Sequence, residues 1–165
     1  MKLIMLFFVS LFIGCSSHNP AALTDEISLL QTIWNSKDPS LALEKIQGLH
    51  KTEENDEYET LTIDNKNTIF SLAIYVSKKD RKIFLIKAPI NNGSEAPASA
   101  IKSKLQTDDW KTYEHSLKGE DYIKSDVSEY SDKLGVAFVY EKLDKDKKVR
   151  MVYWGSDPKK IQTLF

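Results

Sequence analysis

The chain has 165 residues, with 23 Lys and Arg against 24 Asp and Glu, and a single cysteine. That balance supplies no global drive toward nucleic acid or anionic lipid, and one cysteine excludes both an intramolecular disulfide and a thiolate metal cluster. With 41% hydrophobic and 10% aromatic residues the chain can fill a core, which excludes a disordered stalk.

Met1-Lys2 opens a short positive segment, and Leu3 to Ile13 follow with only Ser10 polar. This has the length and flanks of an export signal. A spanning helix needs about 20 apolar residues, and here Gly14-Cys15-Ser16-Ser17 interrupts the run. No transmembrane anchor is expected.

Leu11-Phe12-Ile13-Gly14-Cys15 resembles the lipobox of bacterial lipoproteins, with Phe12 standing where leucine is usual. The resemblance implies a diacylglycerol on the Cys15 thiol, cleavage before that residue and often acylation of the new amino group. One acyl chain anchors only marginally, and two or three make release slow. The expected organisation is a signal peptide over 1–14, a lipidated cysteine and tether over 15–19, and one globular domain over 20–165. Ser16, rather than aspartate, follows the cysteine. By the sorting rule of enteric Gram-negative lipoproteins, that implies the periplasmic face of the outer membrane.

Asn19-Pro20 reads as a cap with proline in the first helical turn, and Leu23, Ile27, Leu30 and Trp34 follow at helical spacing. Asp38-Pro39 repeats the signal before Ala42, Ile46 and Leu49. Between Lys51 and Glu59 the carboxylates Glu53, Glu54, Asp56, Glu57 and Glu59 leave little to bury, so this stretch reads as a solvated loop leading into a strand. The period then changes to two, through Leu61 and Ile63, Phe70 to Val76, and Phe84 and Ile86, which predicts a three-stranded meander. Ala98, Ile101 and Leu105 support a third helix. Trp110–His115 and Tyr122–Tyr130 are weaker strands, Leu134–Leu143 and Val149–Trp154 form a hairpin, and Asp157-Pro158 caps a last turn.

The expected class is therefore α+β: an antiparallel sheet of six or seven strands with helices packed on one face, in the order ααβββαββββ. A helix between two strand groups hints at duplication, although no residue-level repeat is visible.

Chemistry is sparse. His18, His50 and His115 form no HExxH or HxH spacing, so no metal site is expected. Ser99 to Lys102 formally reads SxxK but lacks its companion motifs, no GxSxG elbow exists, and the scattered glycines form no phosphate loop. No catalytic residue and no cofactor is expected. The acidic stretch lacks the glycine and ligand alternation of a calcium loop. Lys78-Lys79-Asp80-Arg81-Lys82 reads as a basic turn guarding a sheet edge, with lipid phosphate as the competing reading.

Aromatic residues concentrate late in the chain, and Trp110, Tyr113, Tyr122, Tyr130 and Trp154 form a candidate binding surface, with Tyr140 and Tyr153 beside them. The expected function is that of a non-catalytic binding or accessory module, held to the membrane through lipid on Cys15 and facing an envelope protein or glycan. An immunity-type inhibitor and an envelope hydrolase with a dispersed site built on His50 or His115 are the alternatives.

Overall fold

The computed structural model describes residues 20–36, 38–44, 46–63, 70–91, 93–118 and 123–155. The signal, Cys15, the tether, Tyr122 and the terminal turn after Gly155 lie outside the described residues. Among the described residues three helices, α1 (Pro20–Trp34), α2 (Pro39–Leu43) and α3 (Ala98–Leu105), accompany eight strands. These are β1 (His50–Glu54), β2 (Tyr58–Ile63), β3 (Leu72–Ser77), β4 (Ile83–Pro89), β5 (Lys111–Lys118), β6 (Ile123–Ser131), β7 (Val136–Glu141) and β8 (Val149–Gly155).

All eight strands join one antiparallel sheet in the order β1-β2-β3-β4-β8-β7-β6-β5. Two four-stranded meanders, each preceded by helix, therefore meet through their last strands, Ile86 opposite Trp154. The arrangement is mostly β and corrects the expected α+β class of six or seven strands under a layer of helices. The strand absent from the expected order is β1, whose five residues His-Lys-Thr-Glu-Glu are all exposed. A strand signal in sequence is apolar alternation, and an edge strand that buries nothing carries none. Its backbone groups are satisfied by β2 all the same, through a register broken by a bulge between Lys51 and Glu53. The helical share shrinks as well. α2 ends at Leu43, and Ile46, expected on its stripe, is buried beyond the helix.

One face of the sheet carries the main core. Leu72, Ile74 and Val76 of β3, Ile86 and Ala88 of β4, Val136, Phe138 and Tyr140 of β7, and Val149, Val152 and Trp154 of β8 pack there with Leu23, Ile27 and Leu30 of α1. A period near 3.6 in α1 and of two in the strands is what lets these residues share one interior. Gln31 fixes the crossing of helix and sheet. Its Oε1 accepts from Trp154 Nε1 at 2.8 Å, and its Nε2 donates to the Leu134 carbonyl at 3.2 Å. Gly135 passes beneath α1 with φ +64, and a Cβ there would stand 3.0 Å from Trp34 Nε1.

Candidate functional site

Strand pairing sorts the remaining side chains onto the second face. Lys111, Tyr130, Ala137, Tyr153 and Lys87 form one cross-strand row, and Tyr113, Ser128, Val139 and Met151 form the next. Ala137, Val139 and Tyr153 make a small second cluster, packed with Tyr130 and Met151. Burial pushes the Tyr153 phenol up to about 12.

An aromatic and a lysine recur on each flank of that buried centre. At one flank Tyr113 is 46% exposed, and Lys111 stands 5.8 Å over the Tyr130 ring. At the other, Tyr58, Tyr75 and Phe84 lie within 5.8 to 6.1 Å of one another, with Lys87 5.3 Å over Tyr75. Phe84 reaches this face because the β3–β4 register shifts between Tyr75 and Val76, and such a bulge re-aims one side chain. Burial, and then the Glu53 charge, raises the Tyr75 phenol.

The sequence-selected aromatics divide between the faces. Trp154 is fully buried in the main core, and Trp110 packs on Phe138 at 5.0 Å on that same side. Tyr113 and Tyr130 stand on the second face, while Tyr122 lies outside the described residues. Tyr58, Tyr75, Phe84 and Lys87 went unselected. Their signal was present in β3, where Leu72, Ile74 and Val76 leave Tyr75 on the opposite side of the alternation.

A polar cluster lies on the helix-facing side. Glu129, 4% exposed, accepts from Tyr140 Oη at 2.7 Å and pairs with Lys102 of α3. Lys102 also stands 5.8 Å over the Trp110 ring. Burial first, and the Glu129 carboxylate next, raise the Tyr140 phenol, so it remains a donor. This arrangement clamps α3 to the sheet through a carboxylate with one partner on each oxygen. Nothing in the sequence marked Glu129, which sits in a strand without apolar alternation.

Asp109 ties the start of β5 to the end of β6. Its carboxylate accepts from Thr107 Oγ1 and Ser131 Oγ, both at 2.6 Å, and from the Lys133 amide at 2.9 Å. Burial raises its pKa, but those hydrogen bonds outweigh that and hold it at about 2. A carboxylate lowered on folding contributes stability that is present above its unfolded pKa and lost as pH falls through the folded value. Wild-type protein should therefore lose stability between about pH 4 and 2. An Asp109→Asn variant, followed by urea denaturation across that range, should show a flatter profile.

The expected loop of carboxylates is a paired edge. Glu54 accepts from Lys51 and Lys78, both at 2.5 Å, and these bonds lower its carboxyl to about 2. Glu59 pairs with Arg81 at 2.6 Å, so the basic β3–β4 turn is largely matched by its acidic neighbour. His50 lies on β1 and His115 on β5, the two edges of the sheet. Six strands lie between them in the sheet order, so the fold does not bring the two histidines together. Ser99 is exposed, and Lys102 is committed to Glu129. Among the described residues no group of three or more His, Cys, Asp or Glu is placed to hold a metal, and no helix is long and apolar enough to cross a membrane.

Comparison of the chain with protein families, curated proteins and solved structures returns no match. The assignment of function rests on the residues themselves.

Proposed function

We propose that the chain is a lipid-anchored lipoprotein of the bacterial cell envelope, whose folded domain binds a partner without catalysing a reaction. The observation that carries this reading is the apolar leader that ends at Ile13-Gly14-Cys15, too short to span and followed at once by a polar tether. Ser16 favours the periplasmic face of the outer membrane. The flank bearing Tyr113, Tyr130 and Lys111 is the contact surface, because tyrosine supplies rigid amphipathic area at low entropic cost, with the Lys111–Asp132 ion pair at its rim. The partner is an envelope protein or a glycan.

Growth with labelled palmitate tests the anchor: the wild-type chain should label and Cys15→Ala should not. An unlabelled wild type, or equal labelling of the two, contradicts the reading. For the surface, the partner recovered from detergent-solubilised envelopes should be lost from the Tyr113→Ala/Tyr130→Ala variant. Full retention by that variant removes this flank from consideration.

A further inference from the structure

The turn between β7 and β8 combines an exposed aliphatic side chain with a run of charges. Leu143, in the first part of this turn, is 90% exposed, more than any other large hydrophobic among the described residues. From Glu141 to Arg150 the sequence places Lys142, Lys145, Lys147, Lys148 and Arg150 against Glu141, Asp144 and Asp146. Several of these charges are already committed. Arg150 pairs with Glu141, and Lys142 with Glu114 at 2.5 Å. The Asp144 carboxylate accepts from the Asp146 and Lys148 amides at 3.0 and 2.9 Å, so it faces the turn it stabilises. Lys145, Lys147 and Lys148 are exposed in the same turn, Lys147 with its Nζ 5.9 Å over the Tyr140 ring and Lys148 beside the Asp144 carboxylate, and Asp146 is the one exposed anion among them. The β3–β4 turn differs, because the carboxylates of β1 and β2 lie against its cations.

A bare aliphatic side chain in a lysine-rich turn has the chemistry of a bilayer's interfacial zone, where apolar groups enter among the headgroups and cations meet phosphates. We propose that the β7–β8 tip is a second membrane contact: Leu143 enters the headgroup layer of an anionic bilayer, and Lys145, Lys147 and Lys148 pair with lipid phosphates. The inference rests on the lipoprotein reading to bring the domain to the bilayer. A tethered domain meets lipid at high effective concentration, so a contact too weak to recruit the protein alone suffices to orient it.

The test uses the mature chain from Ser16 onward, which carries neither the apolar leader nor the acylated cysteine, with Leu143→Trp as a reporter read against the same chain without it. Vesicles of phosphatidylglycerol mixed with phosphatidylcholine, containing brominated lipid, should quench the reporter. Pure phosphatidylcholine vesicles should not, and added salt should reverse the effect. Changing Lys145, Lys147 and Lys148 to Glu should raise the lipid needed for half-quenching about tenfold or more. The Gln triple variant should show a smaller loss, and unchanged thermal melts establish that both variants fold. Equal quenching by the two vesicle types, no quenching by either, or shielding of the reporter only by an envelope protein overturns the proposal. Because no acyl chain is present, a failed palmitate experiment and a failed quenching experiment are separate results.

Discussion

Replacing Lys102 with methionine should cost about 3 kcal/mol or more of folding stability, whereas replacing Glu129 with glutamine should cost about half as much. The asymmetry follows from where each partner stands. Side-chain exposure is 34% for Lys102 and 6% for Glu129. Without the lysine, a carboxylate remains inside the protein with the Tyr140 hydroxyl, among the described residues, as its one side-chain hydrogen-bond donor. Without the carboxylate charge, the lysine extends along the Trp110 ring toward water, as long cationic side chains do, and the glutamine oxygen still accepts from Tyr140. Exchanging both for apolar residues of similar size should recover most of the loss, because a buried ion pair contributes little beyond an apolar replacement of the same shape. Urea denaturation of the three variants and the wild type measures these differences. A Lys102→Met chain as stable as the wild type would show that α3 is held by apolar packing alone, through Ala98 and Ile101.

Much of the element order was legible because it rests on periodicity. Val136 to Tyr140 alternate with residues that are also apolar, and β7 is buried on both faces, between β6 and β8. α1 begins at Pro20, where proline can occupy the first turn at no cost to a hydrogen bond. What stayed hidden is what periodicity does not encode. β1 exists because β2 offers unpaired backbone groups, and its own side chains contribute ion pairs to Lys51 and Lys78 rather than burial. The meeting of β4 with β8, which turns two meanders into one sheet, is a pairing between residues far apart in the chain. No local pattern specifies it.

The candidate surface was legible to a lesser degree, for a related reason. Tyrosine and tryptophan serve a core and a contact face equally well, so their positions in sequence do not separate the two. The fold separates them through register. Trp154 and Tyr153 are neighbours in β8, one turned into the main core and the other onto the second face. Phe84 shows the opposite limit, because a bulge changes the side that simple alternation would assign.

Trp154→Phe should cost about 2 to 4 kcal/mol, most of it from two sources that a double-mutant cycle can separate. The first is the volume lost beneath α1, where Trp154 is fully buried between Ile86 and Val136 in the pairing of β4, β8 and β7. The second is the orphaned Gln31 oxygen, which sits in a residue only 8% exposed and loses the indole donor at 2.8 Å. Gln31→Leu removes the other half of the same bond. It also strips the Leu134 carbonyl of its donor and leaves the indole N–H unsatisfied, so it should cost about 1 to 3 kcal/mol. In the double variant neither the indole donor nor the amide oxygen remains, and the combined loss should fall short of the sum by about 1 kcal/mol. Strict additivity in chemical denaturation would mean that the bond contributes nothing, and that α1 is placed on the sheet by shape alone.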